Sequence, residues 1–221
     1  QRFVLQWQGL NSPKSQRLHE VLLQLEGMAL PMSDLETKIL PARIPRYEPR
    51  DLDLLTSTGE WVWIGAQSLR RKDGLIRFFR SGRLERLYEA PAAYIPPSEL
   101  HSNLLRHLTE RGASFLFNLR AVAQGHRLEE VTEALWDLVW AGIVTNDTLS
   151  PLRSLGKGSK GKGRRKASQT AGGRWSLVQS FIYDPAAPTE RNHHWAQLFL
   201  RRYGIVLRDM CKEEPSPPPY S

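Results

Sequence analysis

The sequence predicts a mainly helical α+β fold made of tandem winged helix-turn-helix domains, with the start of a further one. Two observations carry this. A helix–glycine–strand unit occurs twice: Leu52 and Leu55 precede Gly59 by the same spacings at which Leu135 and Leu138 precede Gly142. Glu60-Trp61-Val62-Trp63 and Ile143-Val144-Thr145 then follow as strands, so one small unit is repeated. Around the first copy, three helical patterns precede a two-stranded hairpin, which is the order of a winged helix.

Taken in order, Gln1 to Leu10 alternates apolar residues and reads equally as a strand or as the end of a helix. Arg17 to Glu26 places Leu18, Val21, Leu22 and Leu25 on one helical face before Gly27. Ser33 opens a second helix, with Pro41 expected to close it, and Pro49 starts a third that ends at Gly59. Trp61–Ala66 and Leu75–Phe79 alternate as strands, with Asp73-Gly74 as the hairpin signal. This defines a first domain over residues 1–89 and a proline-containing linker over 90–97.

The second domain, 98–183, begins with a helix from Ser98 to Gly112 and a second from Ser114 to Ala123. His126 to Thr145 supplies the repeated unit, and Arg174-Trp175-Ser176-Leu177-Val178 reads as the returning strand. The Gly-Ser-Lys run over 156–173 falls where the first domain has its hairpin tip, so it is expected to be a long basic wing, with a plain linker as the alternative that its composition equally allows. Glu190 to Tyr203 is a helix that opens a truncated third domain over 184–214, with part of its apolar face expected to be exposed. Residues 215–221 form a proline-rich tail expected to be disordered.

Charge is confined. The net charge is +8, and residues 148–183 hold eight of the 31 basic residues and no acid, so the rest balances at 23 against 23. Such a cluster fits a polyanion contact. No apolar run reaches the length of a membrane span, and Cys211 stands alone, which excludes a cysteine metal cluster and makes a cytoplasmic setting the expectation. His193-His194 are adjacent on a helix and point apart, so no metal is expected.

Five motifs carry a family resemblance: Phe3-Val4-Leu5-Gln6-Trp7-Gln8-Gly9, Leu40-Pro41-Ala42-Arg43-Ile44, Ser57-Thr58-Gly59-Glu60-Trp61-Val62-Trp63, Gly173-Arg174-Trp175-Ser176-Leu177 and Arg202-Tyr203-Gly204-Ile205-Val206. In this order they resemble the C-terminal region of the large helicase-related (Lhr) family. The resemblance implies an ATP-driven superfamily 2 motor followed by winged-helix domains, with a role in DNA repair. No Gly-x-x-x-x-Gly-Lys-Ser/Thr phosphate loop occurs in these 221 residues. ATP and Mg²⁺ are therefore expected only for a motor outside them, and no cofactor for this chain.

The implied partners are single-stranded or branched DNA and the helicase core of the same polypeptide, nucleoid-associated and away from membranes, with oligomerisation left open. Candidate contacts are Arg70, Arg71, Lys72, Arg77 and Arg80 on the first wing and Lys157, Lys160, Lys162, Arg164, Arg165, Lys166 and Arg174 on the second. Trp63, Phe78 and Phe79 are the base-stacking candidates. The helix before each wing carries acids, so the wings rather than the recognition helices are expected to meet nucleic acid. The resemblance also brings a uracil-DNA glycosylase alternative, in which Gln6 and Gln8 match a Gln-hydrophobic-Gln motif. A protein-interaction scaffold is the third function class.

Overall fold

The computed structural model describes residues 6–7, 17–69, 73–91, 93–156, 172–207 and 209. Its first unit runs α1 (Leu18–Leu25), β1 (Leu30–Pro31), a composite helix α2, α3 (Pro49–Ser57), β2 (Trp61–Leu69), β3 (Asp73–Arg80) and α4 (Ser81–Leu87). The second runs α5 (Glu99–Arg111), β4 (Ser114–Phe115), α6 (Leu116–Val122), α7 (Leu128–Trp140), β5 (Val144–Asn146), α8 (Ser150–Gly156) and β6 (Arg174–Leu177). A 3₁₀ turn, Val178–Phe181, leads to α9 (Pro188–Tyr203). Each unit holds one antiparallel three-stranded sheet, ordered β1-β3-β2 in the first and β4-β6-β5 in the second. The repeat read from leucine and glycine spacing is thus a repeat of topology. Gly59 and Gly142 hold φ of +75° and +73°, the left-handed turn that ends each third helix.

Pro41 does not close the second helix. Met32–Asp34 passes into a π-helical Leu35–Ile39 and then Leu40–Arg43, with Pro41 inside the last turn. The Leu40 N–H bonds to the Leu35 carbonyl, five residues back, which widens the backbone where a proline ring would otherwise meet a carbonyl. Leu35 and Leu40 are buried and hold this turn on the core.

The two units are not beads on a linker. One apolar cluster joins Leu22, Leu52, Trp63 and Phe78 of the first to Leu104, Leu135, Val144 and Trp175 of the second. Trp63 Nε1 donates to the Thr148 carbonyl at 3.2 Å and the Tyr88 hydroxyl to the Gly142 carbonyl at 3.0 Å. Gly65 lies so close to α7 that a Cβ there would stand 2.4 Å from the Val139 carbonyl oxygen.

A second cluster covers the opposite face of the β2–β3 hairpin, where Val62, Ile64 and Phe79 meet Leu84, Leu87, Val178, Trp195, Leu198 and Phe199. The hairpin is therefore buried on both faces. α9 spends its apolar face here, with Trp195 Nε1 donating to the Leu87 carbonyl at 2.9 Å. What stays exposed at its far end is Leu200, Ile205 and Leu207.

Glu26, fully buried at the end of α1, accepts the Arg80 backbone N–H at 3.0 Å and Arg83 Nη1 at 2.6 Å. Burial raises its carboxyl above the ordinary value despite these partners. The native state then binds this proton more tightly than the unfolded chain, so its contribution to stability falls as pH rises from the usual carboxylate range upward. Urea unfolding of the wild type and Glu26→Gln across that range should show the wild type losing ground as pH rises. A constant difference would contradict it.

Candidate nucleic-acid interface

Residues 157–171, which carry six of the cations, lie outside the described residues and are flanked by α8 and Gly172. α8 is anchored by Leu149 and Leu152, both buried, and by Arg153. The guanidinium of Arg153 meets Glu36 at 2.7 Å and Asp53 at 2.6 Å, and its other amine also reaches the Pro49 carbonyl at 3.0 Å. Asp53 accepts the Leu149 N–H as well, at 2.8 Å. The Tyr47 hydroxyl donates to Glu36 at 3.2 Å, and burial beside that carboxylate raises it above its ordinary range. Arg153 is thus one basic residue of the cluster that binds protein carboxylates rather than a ligand.

Asn146 Nδ2 donates to the Gly172 carbonyl at 3.3 Å. Arg174 follows, and its Nε meets Asp147 Oδ2 at 2.8 Å while its backbone N–H meets Oδ1 at 2.7 Å. Its side chain remains half exposed. Beside it a cleft of about 300 Å³ opens between the units, lined by Thr56, Ser57, Trp61, Asn146, Arg174 and Ser176 among others. Of the expected basic contacts, Arg174 is the one that lines this cleft among the described residues.

Of the other expected contacts, Arg80 is exposed and Arg77 half-buried near the Tyr88 hydroxyl. Arg70, Arg71, Lys72, Lys157, Lys160, Lys162, Arg164, Arg165 and Lys166 lie outside the described residues, as does Gln8. The base-stacking assignment does not hold. Trp63 and Phe79 are fully buried and Phe78 nearly so, because the hairpin has a core on each face and alternation exposes neither. Gln6 is exposed, and Trp7, half-exposed, donates its ring N–H to the Arg201 carbonyl at 2.9 Å.

The recognition helices are committed elsewhere. Asp53 on α3 docks the second unit, and Asp51 accepts the Glu48 N–H at 3.2 Å. On α7, Arg127 pairs with Glu130 at 3.0 Å and holds that carboxyl below its ordinary value, while Glu133 and Asp137 face solvent. Neither helix presents an unpaired cation to a phosphate-lined groove. Among the described residues, no three His, Cys, Asp or Glu side chains are placed to hold a metal ion, and no helix is long and apolar enough to cross a membrane.

Family models of large helicase-related winged-helix domains, the third and the fourth, match residues 1–81 and 185–221. The chain belongs to the C-terminal region of the large helicase-related family. A relative from Mycolicibacterium smegmatis, described as "Lhr helicase/ probable uracil glycosylase", is 30% identical over 242 residues, covering 98% of this chain and 16% of the relative. An Escherichia coli relative, "Lhr helicase/uracil glycosylase", is 32% identical over 226 residues, covering 89% of this chain and 14% of the relative. The chain thus spans less than a fifth of the length of either Lhr relative. The match over 185–221 takes in α9, which packs on the first unit.

Proposed function

We propose that this part of the Lhr tail is a DNA-binding module, which holds single-stranded or branched DNA without reading its sequence and positions it for a motor in the same polypeptide. The observation that carries this is the acid-free run of cations in the sequence, followed by Arg174, which lines the inter-unit cleft. The acidic, internally paired recognition helices support the same division of labour. ATP and Mg²⁺ belong with the motor, and the repair role and a nucleoid-associated place in the cytoplasm follow from the same reading. A same-length variant with Lys157, Lys160, Lys162, Arg164, Arg165 and Lys166 replaced by Ser tests it. At low salt it should lose affinity for single strands and duplexes alike. Equal affinity of variant and wild type would sink the reading.

The names of both relatives favour a second activity, uracil excision by the longer protein. In this chain Asp51, Asp53, Glu130 and Asp147 are each engaged by a backbone N–H or a cation, Glu129 is exposed on α7, and Gln6 and Gln8 are the residues that match the glycosylase motif. Incubation with uracil-containing DNA followed by alkali tests whether these residues suffice, and intact strands would remove the activity from this chain.

A further inference from the structure

The exposed aromatics are not on the hairpin but on the second unit, at β4 and α6. Phe117 is 81% exposed and Phe115 53%, while their neighbours Leu116 and Leu119 are buried and complete the inner face of α6. Two large apolar rings exposed two residues apart leave apolar surface in solvent that a partner can cover. Phe117 and Arg120 lie three apart on α6 and share its outer face. Among the described residues Arg111 and Arg120 pair with nothing, and residues 112–128 contain no acid.

Phe115 continues this line to the basic segment. It stands directly opposite Arg174 across the β4–β6 pair, so both side chains leave the same face of the sheet, with Cβ atoms about 5 Å apart. Arg174 is held in place by Asp147 and is one residue from Gly173. Exposed rings flanked by the Arg120 and Arg174 guanidinium groups, with Asp147 the carboxylate that holds Arg174, match unpaired bases on a phosphate backbone better than a basic protein surface.

We infer that Phe117 and Phe115 form a stacking platform for unpaired bases, with Arg120 and Arg174 taking the adjoining phosphates. A strand bound by Arg174 crosses β4 and ends on α6. This rests on the nucleic-acid reading above and adds to it a preference for single strands. The basic segment attracts any polyanion; the platform accepts only bases that are not already stacked in a duplex.

The test compares the whole 221-residue chain with Phe117→Ala and Phe117→Leu by anisotropy, on a labelled mixed-sequence single strand and a blunt duplex of equal length. Loss of one base–aromatic stack should weaken single-strand binding about five- to 150-fold. Duplex binding should stay within about two-fold, because Phe117 lies on the surface and its loss leaves the fold intact. Leu, which keeps the apolar bulk without a ring face, should lose as much as Ala. Wild-type single-strand affinity in the Ala variant overturns the platform, as does full rescue by Leu, which would mark an apolar protein contact instead. Either result leaves the effect of the six-Ser variant standing, so the two failures are distinguishable.

Discussion

Replacing Arg153 by Met should cost about 3–5 kcal/mol of stability. Arg153 neutralises Glu36 and Asp53 together, in a site where their side chains are only 12% and 28% exposed. Its removal leaves two carboxylates close together beside the half-buried Tyr47 hydroxyl, with no cation between them. Because these carboxylates come from the first unit and α8 from the second, the loss falls on the joint between them. For a chain of this size it should lower the melting temperature by roughly 6–20 °C. Adding Glu36→Gln and Asp53→Asn to the Met variant should recover part of it, since the uncompensated charges are then gone. A cost below about 1 kcal/mol would show the cluster to be solvated, as surface pairs are.

Gly65→Val should separate the units by a different route. Valine suits a strand better than glycine, so local propensity favours the change. At this position a Cβ would stand 2.4 Å from the Val139 carbonyl oxygen and 2.9 Å from its carbon, and helix backbone cannot step aside as a flexible side chain can. Overpacking of this kind costs about 1–3 kcal/mol or more. The expected signature is thermal unfolding that splits into two transitions, as two units no longer share one core. Gly82→Ala is the matching control: a Cβ there meets nothing within 4 Å, and in α4 it should stabilise by about 0.5–1 kcal/mol. A single unshifted transition in the Val variant would contradict the close approach.

These two contacts also mark where the sequence stops being legible. The long helices and both hairpin strands follow from periods that their own residues carry, and their glycine stops follow from backbone sterics. β1 and β4 have two residues each, too few for any alternation to register. α8 has seven residues, too few for a helical period to register, and its role rests on Arg153 finding partners 100 and 117 positions away.

The misplaced stacking aromatics have the same origin. One covered face would have left Phe78 or Phe79 in solvent, but α9 arrives from more than a hundred residues downstream to cover the second. At the candidate interface, the charge run is visible in composition because it is contiguous. The Phe115–Phe117 pair is not, since an exposed phenylalanine is spelled like a buried one. Only the buried spacing of Leu116 and Leu119 on the same helix could have signalled that Phe117 points outward.

The account places DNA on the basic segment, and the salt dependence of binding measures that most directly. Six cations each meeting one phosphate predict that log K against log salt falls with a slope of about −5 on duplex and about −4 on a single strand. In the six-Ser variant the slope should collapse toward that of the few remaining exposed arginines. Wild-type and variant slopes that coincide would mean that the phosphates are met elsewhere on the molecule, and the account would be wrong.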